Sequence, residues 1–324
     1  MARQAQPPAF DGALVIDKPA GRTSHDVVEA VRYLVGFRQV GHLGTLDPLA
    51  TGVLVLLLGR ATRLAQFYSS RRKRYSAAVR FGFATDTYDA DGAQQGPDQA
   101  PRLDREEVER LAAQFVGRFA QIPPLYSAKK VHGKPAHELA RKKKRVELKP
   151  VEVEVFSCRV TGVEGAVARL AIECAGGTYI RTMAHEMGQL HGSGAHLAEI
   201  VRTAVGEFTL DQAVTLEELR QAAAQARLGD YVLPLGALLP DLPRVTVLPI
   251  VERRVRHGTR FQVQVAQIQP GRVDTPQGAP EQLDGGDWKP ARLRVFGQQE
   301  RLIAIAEAVV PRTYQPIVVL EAEP

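Results

Sequence analysis

Residues 41–58 read GHLGTLDPLATGVLVLLL. The second half, Val53 to Leu58, is an unbroken apolar run. It has the length of a strand, is far too short to cross a bilayer, and predicts a strand buried on both faces. The first half is a turn marked by glycine and proline, and it sets one carboxylate, Asp47, between Leu46 and Pro48. No second acid, cysteine or metal ligand stands beside it. Asp-Pro commonly opens turns, because the short acceptor side chain bonds to nearby backbone. On local grounds Asp47 is therefore a turn residue, and any chemical role has to come from the rest of the chain.

Upstream, GALVIDKPAG (12–21) predicts a buried strand ending in a turn. TSHDVVEAVRYLV (23–35) predicts a helix capped by Thr23 with Asp26, its apolar face made by Val27, Val28, Val31, Leu34 and Val35. Downstream, KRYSAAVRFGF (73–83) alternates. Tyr75, Ala77, Val79 and Phe81 fall on one face; Ser76, Ala78 and Arg80 fall on the other. Asp104 with Glu107 starts a helix that buries Val108, Leu111, Ala112 and Phe115, and Thr215 with Glu218 opens another. VEVEVFSCRV (151–160) and VARLAIEC (167–174) are strands, with Glu152 and Glu154 outward and Leu170 and Ile172 inward. No βαβ rhythm is visible, which predicts an α+β fold on a mixed, mostly antiparallel sheet. Pro234, Pro240, Pro243 and Pro249 punctuate a long connection into short strand-like runs. The expected division is a main domain over 1–243 and a small β domain over 244–324, with few contacts crossing between them.

The composition, 44% hydrophobic and 24% charged, is that of an ordinary soluble chain. Lys and Arg number 42 against 36 Asp and Glu, and a net charge of +6 favours a polyanionic partner. Cys158 and Cys174 lack metal or redox spacing and are expected to be reduced core residues. The N-terminal MARQAQPPAF carries no apolar export segment, so a cytoplasmic location is expected. Neither a GxxxxGK[ST] loop nor a GxGxxG turn opening a helix is present. His185 and His191 fall on different sides of a helix, against a zinc site with Glu186. Asp86, Asp89 and Asp91 in TDTYDADG could supply the two acids of a glycoside hydrolase, or form a solvated or Arg-paired turn. Basic runs at 71–74, 129–130 and 141–145 stand among Tyr68, Tyr75 and Tyr126. They fit either nucleic acid or solvated helix faces.

One ordered series is more specific. GHLGTLDPLATGVL, KRY, TDTYDADG, IPPLYSAKKVHGK, GGTYIRT, GSGAHLAEIVRTAVGEF and VTLEEL follow one another along the chain. This series resembles the bacterial tRNA pseudouridine-55 synthases over roughly residues 12–220, and the tail more loosely resembles a PUA-type RNA-binding domain. The resemblance implies isomerisation of one uridine in the T-loop of tRNA with the base flipped out. It implies no metal, no other cofactor and no membrane association, and a monomer whose partner is the tRNA T-arm. It also gives a lone carboxylate a use. The base is never released, so no water has to be activated and one ionised acid is enough.

Carried over position by position, the resemblance makes Asp47 the catalytic carboxylate, paired by Arg181. Tyr75 stacks on the flipped uracil, and Tyr179 sits beneath the pocket with its hydroxyl near Asp47 and Arg181. His42 wedges into the space left by the base. Lys18 and Pro19 line the site, Ile200 lies against the base, and Lys130 and Arg202 join the RNA contacts. The basic insert at about 124–150 clasps the RNA. Three positions depart from the family pattern: Leu43 for Thr, Val55 for Pro, and Val201 for the first of two arginines. Three alternatives remain, a guide-dependent RNA pseudouridine synthase, a non-catalytic tRNA-binding or chaperone protein, and a nucleoside hydrolase, whose sign would be released free uracil. The YSAKK segment with its basic insert speaks against the first; the intact Asp47, Tyr75 and Arg181 speak against the second.

Overall fold

The two apolar runs at 12–18 and 51–58 pair antiparallel along their whole length, and everything else is arranged around them. The computed structural model describes residues 10–124, 148–272 and 290–321, together with the backbone of 130–131 and 134–135. In chain order the strands of the main domain are β1 (Gly12–Lys18), β2 (Val40–His42), β3 (Thr51–Leu58) and β4 (Lys73–Phe81). They continue with the hairpin β5 (Ala84–Thr85) and β6 (Gln94–Gln95), then β7 (Gly117–Gln121), then the hairpin β8 (Lys130–Val131) and β9 (Lys134–Pro135). The last are β10 (Val151–Glu164), β11 (Val167–Cys174), β12 (Ala195–Val205), β13 (Phe208–Thr209) and β14 (Leu233–Pro234). Ten of these form one sheet in the order β14-β1-β3-β12-β4-β11-β10-β7, with β2 on β3 and β13 on β12. The β12–β3 pair is parallel and the other pairs are antiparallel.

Four helices cover one face: α1 (Ser24–Val35), α2 (Arg105–Ala113), α3 (Ile180–His191) and α4 (Leu216–Ala224). The caps expected from sequence are present. Thr23 with Asp26 and Thr215 with Glu218 form reciprocal capping boxes, and the Asp104 side chain accepts from the Glu107 N–H. Leu14, Ile16, Leu54, Leu56, Ala77, Val79, Leu170 and Ile172 meet the helices in one core.

The opposite face of β1 and β3 is equally apolar, and here one expectation is corrected. Ala13, Val15, Val53, Val55 and Leu57 share a second core with Phe296, Leu302, Ile305, Val318 and Leu320 of the C-terminal region. That region forms its own six-stranded sheet from β15 (Arg244–Thr246), β16 (Phe261–Gln262), β17 (Ile268–Gln269), β18 (Arg292–Phe296), β19 (Leu302–Val310) and β20 (Thr313–Val319). A helix, α5 (Pro249–Arg256), packs on it. Polar links also cross the boundary. Arg60 pairs with Glu321 at 3.5 Å and donates to Leu320 O at 3.3 Å, and buried Arg294 donates to the carbonyls of Gly236, Leu238, Pro240 and Leu242. The physical reason is that a strand apolar on both faces needs a layer on each side. Leu43 and Val55, two of the departures from the family pattern, both pack in this second core.

Cys158 and Cys174 are buried free thiols. Among the described residues, no helix is long and apolar enough to cross a membrane.

Candidate active site

The Asp47 turn is held by buried groups that reach its backbone from several directions. Ser24, the first residue of α1, accepts from the Leu46 N–H at 2.8 Å and donates to the Leu46 carbonyl at 3.1 Å. Lys18 donates its ammonium to the carbonyls of Pro19, Arg22 and Pro48. Arg202 donates to Gly44 O at 3.1 Å, Thr45 O at 3.3 Å and Val53 O at 2.7 Å. Gly52 closes the loop at φ +92°, and a Cβ there would lie 2.4 Å from the Arg202 carbonyl, so only glycine fits against β12. A loop bonded at this many backbone groups has little freedom, and its one carboxylate inherits a fixed position.

That carboxylate stands on the wall of a cavity of about 380 Å³ lined by residues 44–47, Lys73, Tyr75, residues 177–181, Leu197, Ile200 and Arg202. Tyr75, Ile200 and Leu197 supply the apolar wall. The side chain of Asp47 is 42% exposed, open to a ligand, whereas its partner Arg181 is 7% exposed. Arg181 Nε lies 3.0 Å from Asp47 Oδ2, and its Nη1 lies 3.1 Å from Asp89 Oδ2 and donates to Thr87 O. Arg181 sits in the first turn of α3, where the helix dipole disfavours a cation. Two carboxylates offset that cost. Tyr179 is the N-cap of this helix and lines the cavity. Buried Gln121 clamps its backbone, its side-chain oxygen accepting from Tyr179 N at 2.8 Å and its amide donating to Tyr179 O at 3.1 Å.

Burial lifts the Asp47 carboxyl above the ordinary carboxylate value and Asp89 adds to the rise, while Arg181 and Lys18 pull the other way. Burial pushes the Tyr75 phenol up to about 12, so it stays protonated at neutral pH. Burial, assisted by Arg202, lowers the imidazole of half-buried His42 at the end of β2, which keeps it neutral.

The arrangement brings together Asp47, Arg181, Tyr75, Tyr179, Ile200 and Arg202 around one cavity. Two of the expected site cations turn inward: Lys18 and Arg202 are 0% and 1% exposed, and their charged heads donate to loop carbonyls. Lys18 and Pro19 line a separate hollow of about 440 Å³ with Arg22, Thr215 and Arg220. The side chain of Lys130 and the run 141–145 lie outside the described residues. Asp89 was visible only as one of a trio of acids. Of these, Asp86 accepts from Ala93 N in its own turn, and Asp89 alone is ion-paired to Arg181. Ser24 and Gln121 gave no signal, because their partners are distant in sequence. Among the described residues no group of three His, Cys, Asp or Glu is placed to hold a metal.

The chain matches the TruB family pseudouridylate synthase N-terminal model over residues 32–180, and the tRNA pseudouridylate synthase B C-terminal model over 181–240. It belongs to the TruB family. The tRNA pseudouridine synthase B of Solibacter usitatus is 46% identical over 311 residues, covering 96% of this chain and 100% of the relative. That of Geobacter sulfurreducens is 36% identical over 300 residues, covering 93% and 94%. A chain from the crystal structure of a Cbf5-Nop10-Gar1 complex shares the fold, with a TM-score of 0.67 over 97% of this chain and 84% of that one, at 23% identity. The TruB-family match accounts for the order of motifs along the sequence, and the Asp47–Arg181 pair lies where those motifs meet in space.

Proposed function

We propose that this TruB-family chain isomerises uridine to pseudouridine at position 55 in the T-loop of tRNA, without a cofactor, acting as a cytoplasmic monomer. The observation that carries this is the ion pair of an accessible Asp47 with a buried Arg181 on the wall of a cavity with an apolar side. The target base has to leave its stack to reach such a cavity. Asp47 either attacks C1′ or acts after loss of the 2′ proton. By both routes the N1–C1′ bond breaks with its electron pair on the uracil. The ring turns over, C5 bonds to C1′, the C5 proton departs, N1 gains a proton, C2′ on the second route recovers the proton it lost, and the carboxylate is free again.

Arg181 keeps Asp47 ionised and aimed, and Asp89 holds Arg181. Tyr75 offers a neutral ring for stacking, with Ile200 on the same cavity wall, and Tyr179 sits under the pocket. Lys18 and Arg202 serve by fixing the loop. Neutral His42 is suited to fill the place of the flipped base, since an uncharged ring stacks at little desolvation cost. Lys130 and the basic insert grip the T-arm electrostatically, so affinity should fall with salt. The C-terminal β domain, PUA-like in form, adds RNA contacts away from the reacting base. The test is incubation with an unmodified tRNA transcript followed by nucleotide-resolution mapping. Pseudouridine at position 55 alone is expected; free uracil, or no change, would overturn the proposal.

A further inference from the structure

Lys73 opens β4 two residues before Tyr75, so both side chains leave the same face of the sheet. It is 9% exposed and lines the same cavity as Tyr75, Ile200 and Arg202. Two glycines leave room for its head. A Cβ on Gly44 would lie 3.5 Å from Lys73 Nζ, and one on Gly176 would lie 3.0 Å from it and 2.0 Å from the Ser69 carbonyl. The ammonium therefore sits between the Asp47 loop and the turn that leads into Tyr179 and Arg181.

Its surroundings set it apart from the other buried cations here. Lys18 and Arg202 are satisfied by carbonyls, and Arg181 by two carboxylates. Among the described residues, the ammonium of Lys73 meets no carboxylate and no hydrogen-bond acceptor. The groups that act on it are Arg202, another cation, and the Cys174 thiol. An ammonium that lines the cavity without an acceptor from the protein is placed to meet one that a ligand brings. The ligand should bring negative charge, because among the described residues three cations, Lys73, Arg181 and Arg202, line this cavity with one carboxylate, Asp47, while Asp89 pairs with Arg181.

We propose that Lys73 is a catalytic residue whose ammonium hydrogen-bonds a carbonyl oxygen of the flipped uracil and stabilises the negative charge that the ring carries once the N1–C1′ bond has broken. This rests on the function proposed above. The electron pair released to N1 is delocalised onto O2 and O4, so an ammonium at either oxygen gains strength only as the bond breaks. No proton has to move, and both routes open to Asp47 pass through the same anion. Burial, with Arg202 assisting, brings the ammonium down to about 8, which leaves it charged at neutral pH.

The test is single-turnover kinetics of the full-length chain on a T-arm stem-loop carrying uridine or 5-fluorouridine at the target. Fluorine makes the ring a better leaving group and so reduces the need for a cation. Lys73→Met is expected to slow cleavage of the N1–C1′ bond about a hundredfold with uridine. With 5-fluorouridine the loss should be less than about tenfold, and RNA affinity should stay within about threefold in both cases. An equal loss on the two bases would overturn the proposal. So would weakened RNA binding at an unchanged rate, which would place a phosphate oxygen at the ammonium instead. If Lys73→Met fails to fold, the near-isosteric Lys73→Gln carries the same comparison. Absence of isomerisation by the unmodified chain would count against the parent proposal and not against this one.

Discussion

β3 and β4 lie in the same sheet with only β12 between them, and they meet opposite surroundings. β3 alternates between two cores, Leu54, Leu56 and Leu58 toward the helices and Val53, Val55 and Leu57 toward the C-terminal sheet. β4 sends Ala77, Val79 and Phe81 into the helix-side core. Its first two inward positions, Lys73 and Tyr75, open onto the cavity. The difference lies in what covers each strand. A strand with apolar layers on both sides contributes stability, whereas β4 begins with Lys73 and Tyr75 on the cavity where the Asp47 loop and the first turn of α3 converge.

The strongest way to break this contrast is to remove the layer over β3. Deleting residues 243–324 would expose Val53, Val55 and Leu57, and the shortened chain is expected to lose cooperative thermal unfolding and solubility. A truncated chain that melts like the intact one would show that the second core is dispensable.

Next in size is Arg181→Lys. An ammonium cannot reproduce a planar guanidinium shared by Asp47 and Asp89. Turnover should fall about a hundredfold while tRNA affinity changes little, as measured by single-turnover rates and filter binding. The companion Arg181→Gln sharpens the electrostatics. In the proposed mechanism activity needs ionised Asp47, so it is expected to be lost as pH falls through the Asp47 pKa. Arg181 pulls that pKa down. Removing the charge should therefore move the acid limb of the pH–rate profile upward; an unmoved limb would separate Arg181 from the ionisation of Asp47.

The smallest effect belongs to Ile305→Val in the second core, where loss of one methylene should cost about 1 kcal/mol in urea unfolding. Turnover at saturating tRNA should be unchanged. A lowered turnover would link the C-terminal layer to the chemistry.

Much of this was legible in the chain itself. The caps at Thr23, Asp104 and Thr215 obey local rules, the unbroken run of β3 declared burial on both faces, and the alternation of β4 declared one buried face. The Asp47–Arg181 pair followed from the motif series. What stayed hidden depends on contacts between residues far apart in sequence. The prolines around 234–249 mark a boundary between sheets but carry no information about packing across it, and the shared core follows from β3 needing a second cover. Lys18 and Arg202 are cations in a basic protein, and only the folded loop shows their charges turned inward to carbonyls. Asp89 looked like its neighbours Asp86 and Asp91 until α3 delivered Arg181 to it.

Asp47→Asn tests the central claim most directly. Asparagine keeps the shape and the hydrogen bonding of the turn but cannot supply the ionised carboxylate that the proposed mechanism uses. The variant should bind unmodified tRNA within about threefold of the unchanged protein, since the loop is held by its backbone and not by this side chain. Nucleotide-resolution mapping of the same reaction should detect no pseudouridine at position 55. Pseudouridine formed at the unmodified chain's rate, by a preparation free of the host enzyme, would contradict the account.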